Sequence, residues 1–311
     1  MAKPTPAQIT EVKAKGFLIN RGTDCFSGRI VPAGSVFSAE DLRVISEIAE
    51  KFGSGKVAFT TRLAAEIVGI PFDQINNAID YAGQHNLYFG GTGAKIRPVT
   101  ACKGTTCIYG NFDTQELARK IHEKYYLGWT DVKLPHKFKI AVGGCPNSCM
   151  KPSLNDFGIE GHRVPDFEEA DCRSCKVCAV EKACPTKAAT LKGKLFINRE
   201  ICTSCGVCTG KCPFKAVRHH NDVKYQIFVG GTWGKKTRMG TPLSRLVTED
   251  EIFPILEKTM LWFKENAYQK ERLGMAIDRV GADKLEAALF SDDLLQRKEA
   301  ILAAPVKTRE S

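Results

Sequence analysis

The chain alternates between short apolar runs and stretches of helical periodicity. GFLINR and RIVPAG, in the N-terminal part, read as strands. SAEDLRVISEIAEKFG repeats apolar positions at helical spacing, with Ser38 as N-cap and Gly53 at its end. FDQINNAIDYAGQH predicts another helix, TQELARKIHEKYY a third and KFKIAV a strand. The tail from TEDEIFPILEKTMLWFKENA onward is predicted to be helical, packed on the rest of the chain or on a partner. Strands and helices in this order imply an α+β fold.

Composition narrows the class. With 311 residues and 43% hydrophobic positions, the chain can bury a sizeable core. The start, MAKPTPAQITEVKAKG, has no apolar signal-peptide core, and no apolar run approaches the length of a membrane span. A cytoplasmic location is the expectation. The net charge of +10, from 45 Lys and Arg against 35 Asp and Glu, raises nucleic-acid binding. No long basic block supports it, and the positive charge equally suits an anionic cofactor or substrate.

Thirteen cysteines change the picture. Tight CxxC spacing without a secretion signal argues for metal rather than disulfides. CRSCKVCAVEKACP and CTSCGVCTGKCP form an internal repeat offset by thirty positions, each with a C-x2-C-x2-C rhythm followed by a more distant C-P. Soft thiolates at this spacing suit iron–sulfur clusters, the fourth cysteine of each run crossing to the other cluster. One [4Fe–4S] cluster is therefore expected on Cys172, Cys175, Cys178 and Cys212, and another on Cys184, Cys202, Cys205 and Cys208. Structural zinc would leave the three-plus-one rhythm unexplained. Cys102, Cys107, Cys145 and Cys149 form two further pairs, which by themselves specify a metal site and not its identity. Gly143 and Gly144 allow close backbone approach to a bulky ligand. Cys25 is left over, with a buried, inert thiol as its expected state.

At these residues the chain resembles the siroheme-containing nitrite and sulfite reductase family. The likeness rests on the first cysteine pair and on GCPNSC followed by Asp156, Phe157, Gly158 and Ile159. It extends to VAFTTRLAAEIVGIP, similar to the family's strand, T-x-R turn and helix, and to KIRPVTACKG, LPHKFKIAV and FVGGTWGKKTRMG. It covers roughly residues 16–280. Within the family it is nearest to short, single-module sulfite reductases of the anaerobic and dissimilatory types. The resemblance implies a ferredoxin-like half-domain over residues 1–92. It implies a siroheme and [4Fe–4S] module over 93–164 and 219–311, and an inserted two-cluster ferredoxin over 165–218. Cofactors would be siroheme and three [4Fe–4S] clusters. Cys149 would bridge cluster and siroheme iron.

The same resemblance implies reduction of sulfite to sulfide, with six electrons and six protons. Arg62 and Arg97 would bind sulfite or a siroheme carboxylate. Lys137 and Lys139, two apart in a strand and so on one face, would bind sulfite and relay protons. His136 is a further candidate for the proton supply. Arg29, Lys103, Thr105, Thr106 and Asn147 are candidate siroheme contacts. His85 and His122 are expected to be packing or surface residues, and His219 and His220 to mark the exit of the insertion. No Gly-rich nucleotide fingerprint appears, so electrons are expected from another subunit or protein: a flavin/NAD-binding and iron–sulfur partner, or a ferredoxin. Homo- or hetero-oligomers are both compatible. The rival readings are a nitrite reductase with the same cofactors, a heme-free three-cluster electron carrier, and a structural subunit without catalysis. The full set of basic residues speaks against the last two.

Overall fold

The computed structural model describes residues 3–218 and 222–309; His219 and His220 lie outside them. The N-terminal unit begins with helix α1 (Pro6–Ala14), strand β1 (Phe17–Ile19) and strand β2 (Cys25–Ile30). Helix α2 (Ala39–Phe52) starts at Ser38 as its sequence predicts. The Ser38 hydroxyl accepts the Asp41 N–H, and the Asp41 carboxylate accepts the Ser38 N–H. Strands β3 (Lys56–Phe59) and β4 (Ala65–Pro71) and helix α3 (Ile75–Gln84) complete the unit. The sheet is antiparallel, in the order β1-β2-β4-β3.

One expectation fails here. The segment after Arg62 is not a helix but β4, paired with both β2 and β3. The reason is local: Ile67, Val68 and Ile70 are β-branched, and Gly69 takes φ +81°, which no helix accommodates. Cys25 also departs from expectation, being only half-buried at the start of β2.

The second unit is built on a five-stranded mixed sheet. It contains β5 (Thr100–Ala101), helix α4 (Thr114–Ile121), β6 (Ile140–Gly143) and β7 (Phe157–His162). Helix α4 has Asp113 as N-cap and runs on into a π-helical turn, His122–Leu127. His122 is buried there, stacked on Tyr126.

The chain then leaves this sheet and forms a small separate core. The excursion holds β8 (Asp166–Phe167), α5 (Ala179–Ala183), β9 (Ala189–Lys192), β10 (Lys194–Ile197) and β11 (Val217–Arg218). Val180, Ala188, Ala189, Leu195, Ile197 and Val217 are buried among the cysteines of both runs. The chain returns as β12 (Lys224–Val229) and β13 (Thr241–Pro242), followed by helices α6 (Glu249–Asn266), α7 (Leu273–Val280), α8 (Ala282–Phe290), α9 (Asp293–Gln296) and α10 (Lys298–Ala303). The sheet order is β13-β12-β7-β6-β5, with β5, β6 and β7 parallel and β12 antiparallel to β7. α6 carries Ile252, Leu256, Met260 and Phe263 into the core of this unit, so the tail packs on its own module. No helix among the described residues is long and apolar enough to cross a membrane.

The cysteine-rich excursion leaves and rejoins the sheet at paired neighbours, His162 opposite Lys224. An insertion with adjacent ends imposes little on the fold that hosts it. Replacing residues 165–218 by a short Gly-Ser linker is therefore expected to leave a cooperatively folded module. Its Tm should shift by no more than about 4 °C, which corresponds to about 1 kcal/mol in a domain of this size. Calorimetry of the two proteins checks this.

Candidate active site

The parallel strands β5 and β6 organise two groups of side chains at opposite ends. At their N-terminal ends Ile96 bridges Phe138, and the Arg97 N–H donates to the Phe138 carbonyl at 2.8 Å. Phe138 and Ile140 are fully buried, so Lys137 and Lys139 turn together to the opposite side, as their spacing predicts. The regular ladder begins only at Ile140.

Arg62 enters this end from the turn between β3 and β4. Its guanidinium donates to the Pro98 carbonyl from Nε (3.2 Å) and Nη2 (2.6 Å), to the Ile140 carbonyl (2.8 Å) and to Asn155 Oδ1 (2.9 Å). It clamps the two strands to the loop before β7, and one Nη1 hydrogen is left for a ligand. Arg97 reaches the Gly91 carbonyl through Nη1, and its Nε is buried without a partner. Burial draws both guanidiniums down to about 10, so both stay charged at neutral pH. Arg29 lies near Arg97 but is ion-paired to Glu66.

The sequence did not mark Arg272, at the start of α7. Its Nη2 donates to both oxygens of Asp156 at 2.9 Å, and its Nε is buried without a partner. Asp156 is fully buried and also accepts the Lys139 N–H at 2.9 Å. Burial pushes its carboxyl upward, while Arg272 and the Lys139 N–H oppose that. The Lys139 ammonium is pulled down to about 8, first by burial and then by Arg62, Arg272 and Lys137. Lys137 is also lowered, by burial and then by Arg272 and Arg97. His136 is held at about 4 by burial and by the charges of Arg272, Lys137 and Arg97. Its ring is neutral at pH 7, and Nδ1 accepts the Lys137 N–H at 2.7 Å.

At the C-terminal ends of the same strands stand the thiols. The Cys102 N–H donates to the Val142 carbonyl, and Cys102 Sγ accepts the Gly144 N–H at 3.2 Å. A Cβ on Gly144 would lie 3.3 Å from that sulfur. Burial, followed by the nearby Cys102, Cys107 and Cys149, raises the Cys145 thiol, so the four sulfurs share one neighbourhood. Three are half-buried and Cys149 is exposed. Lys103, Thr105, Thr106 and Asn147 are exposed around them. The GGTWG loop lies against this region: Gly231 packs on the Ser153 and Asn155 backbone, and Trp233 lies beneath the Lys151 ammonium.

The two groups therefore stand at opposite ends of one strand pair. Fully extended, the backbone from Arg97 to Cys102 or from Lys139 to Cys145 spans at most about 16–20 Å.

In the excursion, the repeat is visible in the backbone. Ser174 and Ser204, each just before the second cysteine of its run, both take left-handed φ values of 49° and 53°. Lys187 and Lys215, each three residues after the last cysteine, do the same at 59° and 61°. Only a few per cent of non-glycine residues adopt this region. Burial, Cys205, Cys202 and then Cys184 push the Cys208 thiol up to about 11, so these four are neighbours. At Cys184, burial is outweighed by hydrogen bonds from the Ala189, Thr186 and Ala188 amides and the Thr186 hydroxyl, and the thiol is lowered. No three His, Cys, Asp or Glu among the described residues close around a single ion; a cubane is larger and spreads its thiolates to separate corners. The run containing Cys205 packs on the module. The Arg163 N–H donates to the Ser204 carbonyl at 2.8 Å. A cavity of about 410 Å³ lies between Cys205–Val207 and the Ile108–Asn111 loop that comes after Cys107.

Comparison with known proteins gives the family. The chain matches the nitrite and sulphite reductase 4Fe-4S domain over residues 92–298, and the nitrite/sulfite reductase ferredoxin-like half domain over 20–84. The chain belongs to the nitrite and sulfite reductase family. It is 32% identical over 254 residues to a coenzyme F420-dependent sulfite reductase of Methanocaldococcus jannaschii, covering 81% of this chain but only 40% of that protein. It is 30% identical over 289 residues to a subunit of the anaerobic sulfite reductase of Salmonella typhimurium, covering 84% of this chain and 81% of that subunit. The crystal structure of dissimilatory sulfite reductase I shares the fold, with a TM-score of 0.69 at 23% identity over 92% of this chain and 71% of that one.

Two outcomes are expected from the charge arrangement. Asp156→Ala leaves Arg272 buried without its counter-ion and should destabilise the protein by about 3–5 kcal/mol in urea unfolding. In the cofactor-free protein, Lys139 should lose its proton as pH rises through about 8. Competitive amine labelling would then give it a midpoint about two units below that of exposed lysines.

Proposed function

We propose that this chain is the catalytic module of a sulfite reductase, reducing sulfite to sulfide with six electrons and six protons. The observation that carries this reading is the cation group at the head of β5 and β6. Arg62, Lys137, Lys139 and Arg272 act on one buried carboxylate, with Arg97 close to Arg272 and Lys137, and two guanidinium Nε atoms are buried without acceptors. A buried donor left unpaired costs about 1–3 kcal/mol. A small oxyanion admitted among these side chains would recover that cost. Arginine offers fixed planar donors to such an anion. Lys139, still charged at neutral pH but easily deprotonated, is suited to hand over protons.

The thiol end fits the family's cofactors. Cys102, Cys107, Cys145 and Cys149 would hold a [4Fe–4S] cluster. Siroheme bound at the exposed Cys149, among Lys103, Thr105, Thr106 and Asn147, would supply the redox-active iron at which sulfur is reduced. In the excursion, Cys172, Cys175, Cys178 and Cys212 would hold a distal cluster, and Cys184, Cys202, Cys205 and Cys208 a proximal one. The contact between the Cys205 run and the loop after Cys107 supports the electron order distal, proximal, module. The separation of cations from thiols supports one more feature. The cations serving a siroheme at one Cys149 would then come from a second module, either another copy or a related chain.

Protein made anaerobically with siroheme available should show tetrapyrrole absorption, and Cys149→Ala should lose or strongly alter it. A wild-type protein without such bands, or with turnover of nitrite but not sulfite when both are offered in parallel, would overturn the reading. Lys139→Ala should lower sulfite turnover by about 10²–10⁴-fold. If the second module is another copy, refolding Lys139→Ala together with Cys149→Ala should restore activity in about one quarter of the sites of a two-fold dimer.

A further inference from the structure

The two halves of the excursion are not equivalent in their surroundings. Pro185, Thr186, Thr203, Ser204, Gly206, Val207 and Thr209 lie beside the proximal set, and the charges near its Cys205 run, Arg163 and Lys211, line the cavity it shares with the module. Most of that run is half-buried, because it packs on Arg163, Asn111 and the loop after Cys107. The distal set differs on both counts. Arg173 and Lys176 lie between its cysteines, and Lys211 and Lys215 flank Cys212. All four are exposed, as are Val177 (75%) and Phe214 (49%) between them. The acidic residues nearby are already engaged. Arg218 pairs with Asp171 at 3.5 Å and with Glu168, and Lys194 pairs with Glu169 at 3.3 Å.

From this asymmetry we infer that the rim of Arg173, Lys176, Lys211 and Lys215 is a docking surface for an acidic electron-transfer protein, and that electrons enter the chain there. The inference rests on the proposed function and names the charge and place of its donor. Unpaired surface cations around two exposed apolar side chains form a patch that steers an acidic partner and then excludes water at contact. A second copy of this chain is a poor occupant, since each carries +10 and the same cationic rim. The event at the surface is a one-electron exchange: the donor is oxidised by one electron, the chain is reduced by one, and no bond is made or broken. The rim's charge also bears on the potential of the cluster beside it. A test must therefore separate docking from potential.

The experiment uses the cluster-loaded full chain and, as probe, a reduced acidic two-cluster ferredoxin. Affinity is measured by titration calorimetry against the oxidised probe, and cluster reduction by stopped-flow absorption, without sulfite in either case. Arg173→Glu/Lys176→Glu is compared with Lys187→Glu/Lys192→Glu, which makes the same change of net charge away from the rim. Iron content and the potentials of both variants are measured alongside. At low ionic strength the rim variant should bind more weakly and be reduced more slowly, each by about tenfold or more. The control variant should stay near wild type. The wild-type advantage should fade as salt approaches 1 M, where screening acts within about 3 Å. Reduction by methyl viologen, a dication, should not slow in the rim variant. Equal losses in both variants, or ferredoxin binding that ignores the rim and the salt, would overturn the proposal. So would a loss traced wholly to a changed potential, or an oligomer that the rim variant dissociates. Because no readout involves sulfite, a failure here is distinct from a failure of the reductase reading.

Discussion

Two short strands, β5 and β6, run parallel from the Ile96–Phe138 bridge to the pairing of Ala101 with Val142. Parallel pairing gives both strands the same direction, so residues before them gather at one end and residues after them at the other. Arg97, Lys137 and Lys139 come before; Cys102 and Cys145 come after. Arg62 fastens the pair at its basic end by donating to carbonyls on both sides, at Pro98 and Ile140. A one-residue slip would turn Phe138 and Ile140 outward and the lysines into the core. The chemistry of each end thus depends on a register held by few ladder bonds and by buried apolar side chains.

The basic end stays folded against its own repulsion because it is built around one carboxylate. Asp156 accepts from Arg272 and from the Lys139 backbone, and the two halves of the module meet through it. Burial first, and then the neighbouring cations, lowers the lysines, and two guanidinium Nε atoms are left without acceptors. Such a group is stable enough to form and leaves positive charge uncompensated. At the thiol end the demand is geometric. Glycine at 144 lets a backbone N–H come within 3.2 Å of a sulfur, and Ser148 accepts a left-handed conformation next to Cys149.

Much of this was legible in the sequence. The Ser38 cap, the α3 and α4 helices and the alternation through Lys137–Ile140 depend on neighbours a few residues apart, and local pattern reports them faithfully. The cysteine repeat carries through to the backbone: Ser174 and Ser204 occupy equivalent positions and share one conformation. The segment 65–71 was misread because likeness to a helix in related chains outweighed its β-branched residues and Gly69. Arg272 was not found at all. It lies 116 positions from Asp156, and nothing around it in sequence sets it apart from a surface arginine.

Residue type and spacing alone determined which atoms this protein can offer. These are three four-thiol sets, a surplus of cations, and an excursion long enough to form its own small core. Spacing constrains chemistry when ligands come from one loop, because the loop is itself the geometry. Only the tertiary structure decided which groups share a site. It joined Arg272 to Asp156, set the proximal run against the module and left the distal run exposed. It also parted the cations from the thiols, although they alternate along the chain. That last result has a simple physical cause: neighbours in sequence can be strand-lengths apart in space, and only the direction of pairing says at which end they gather.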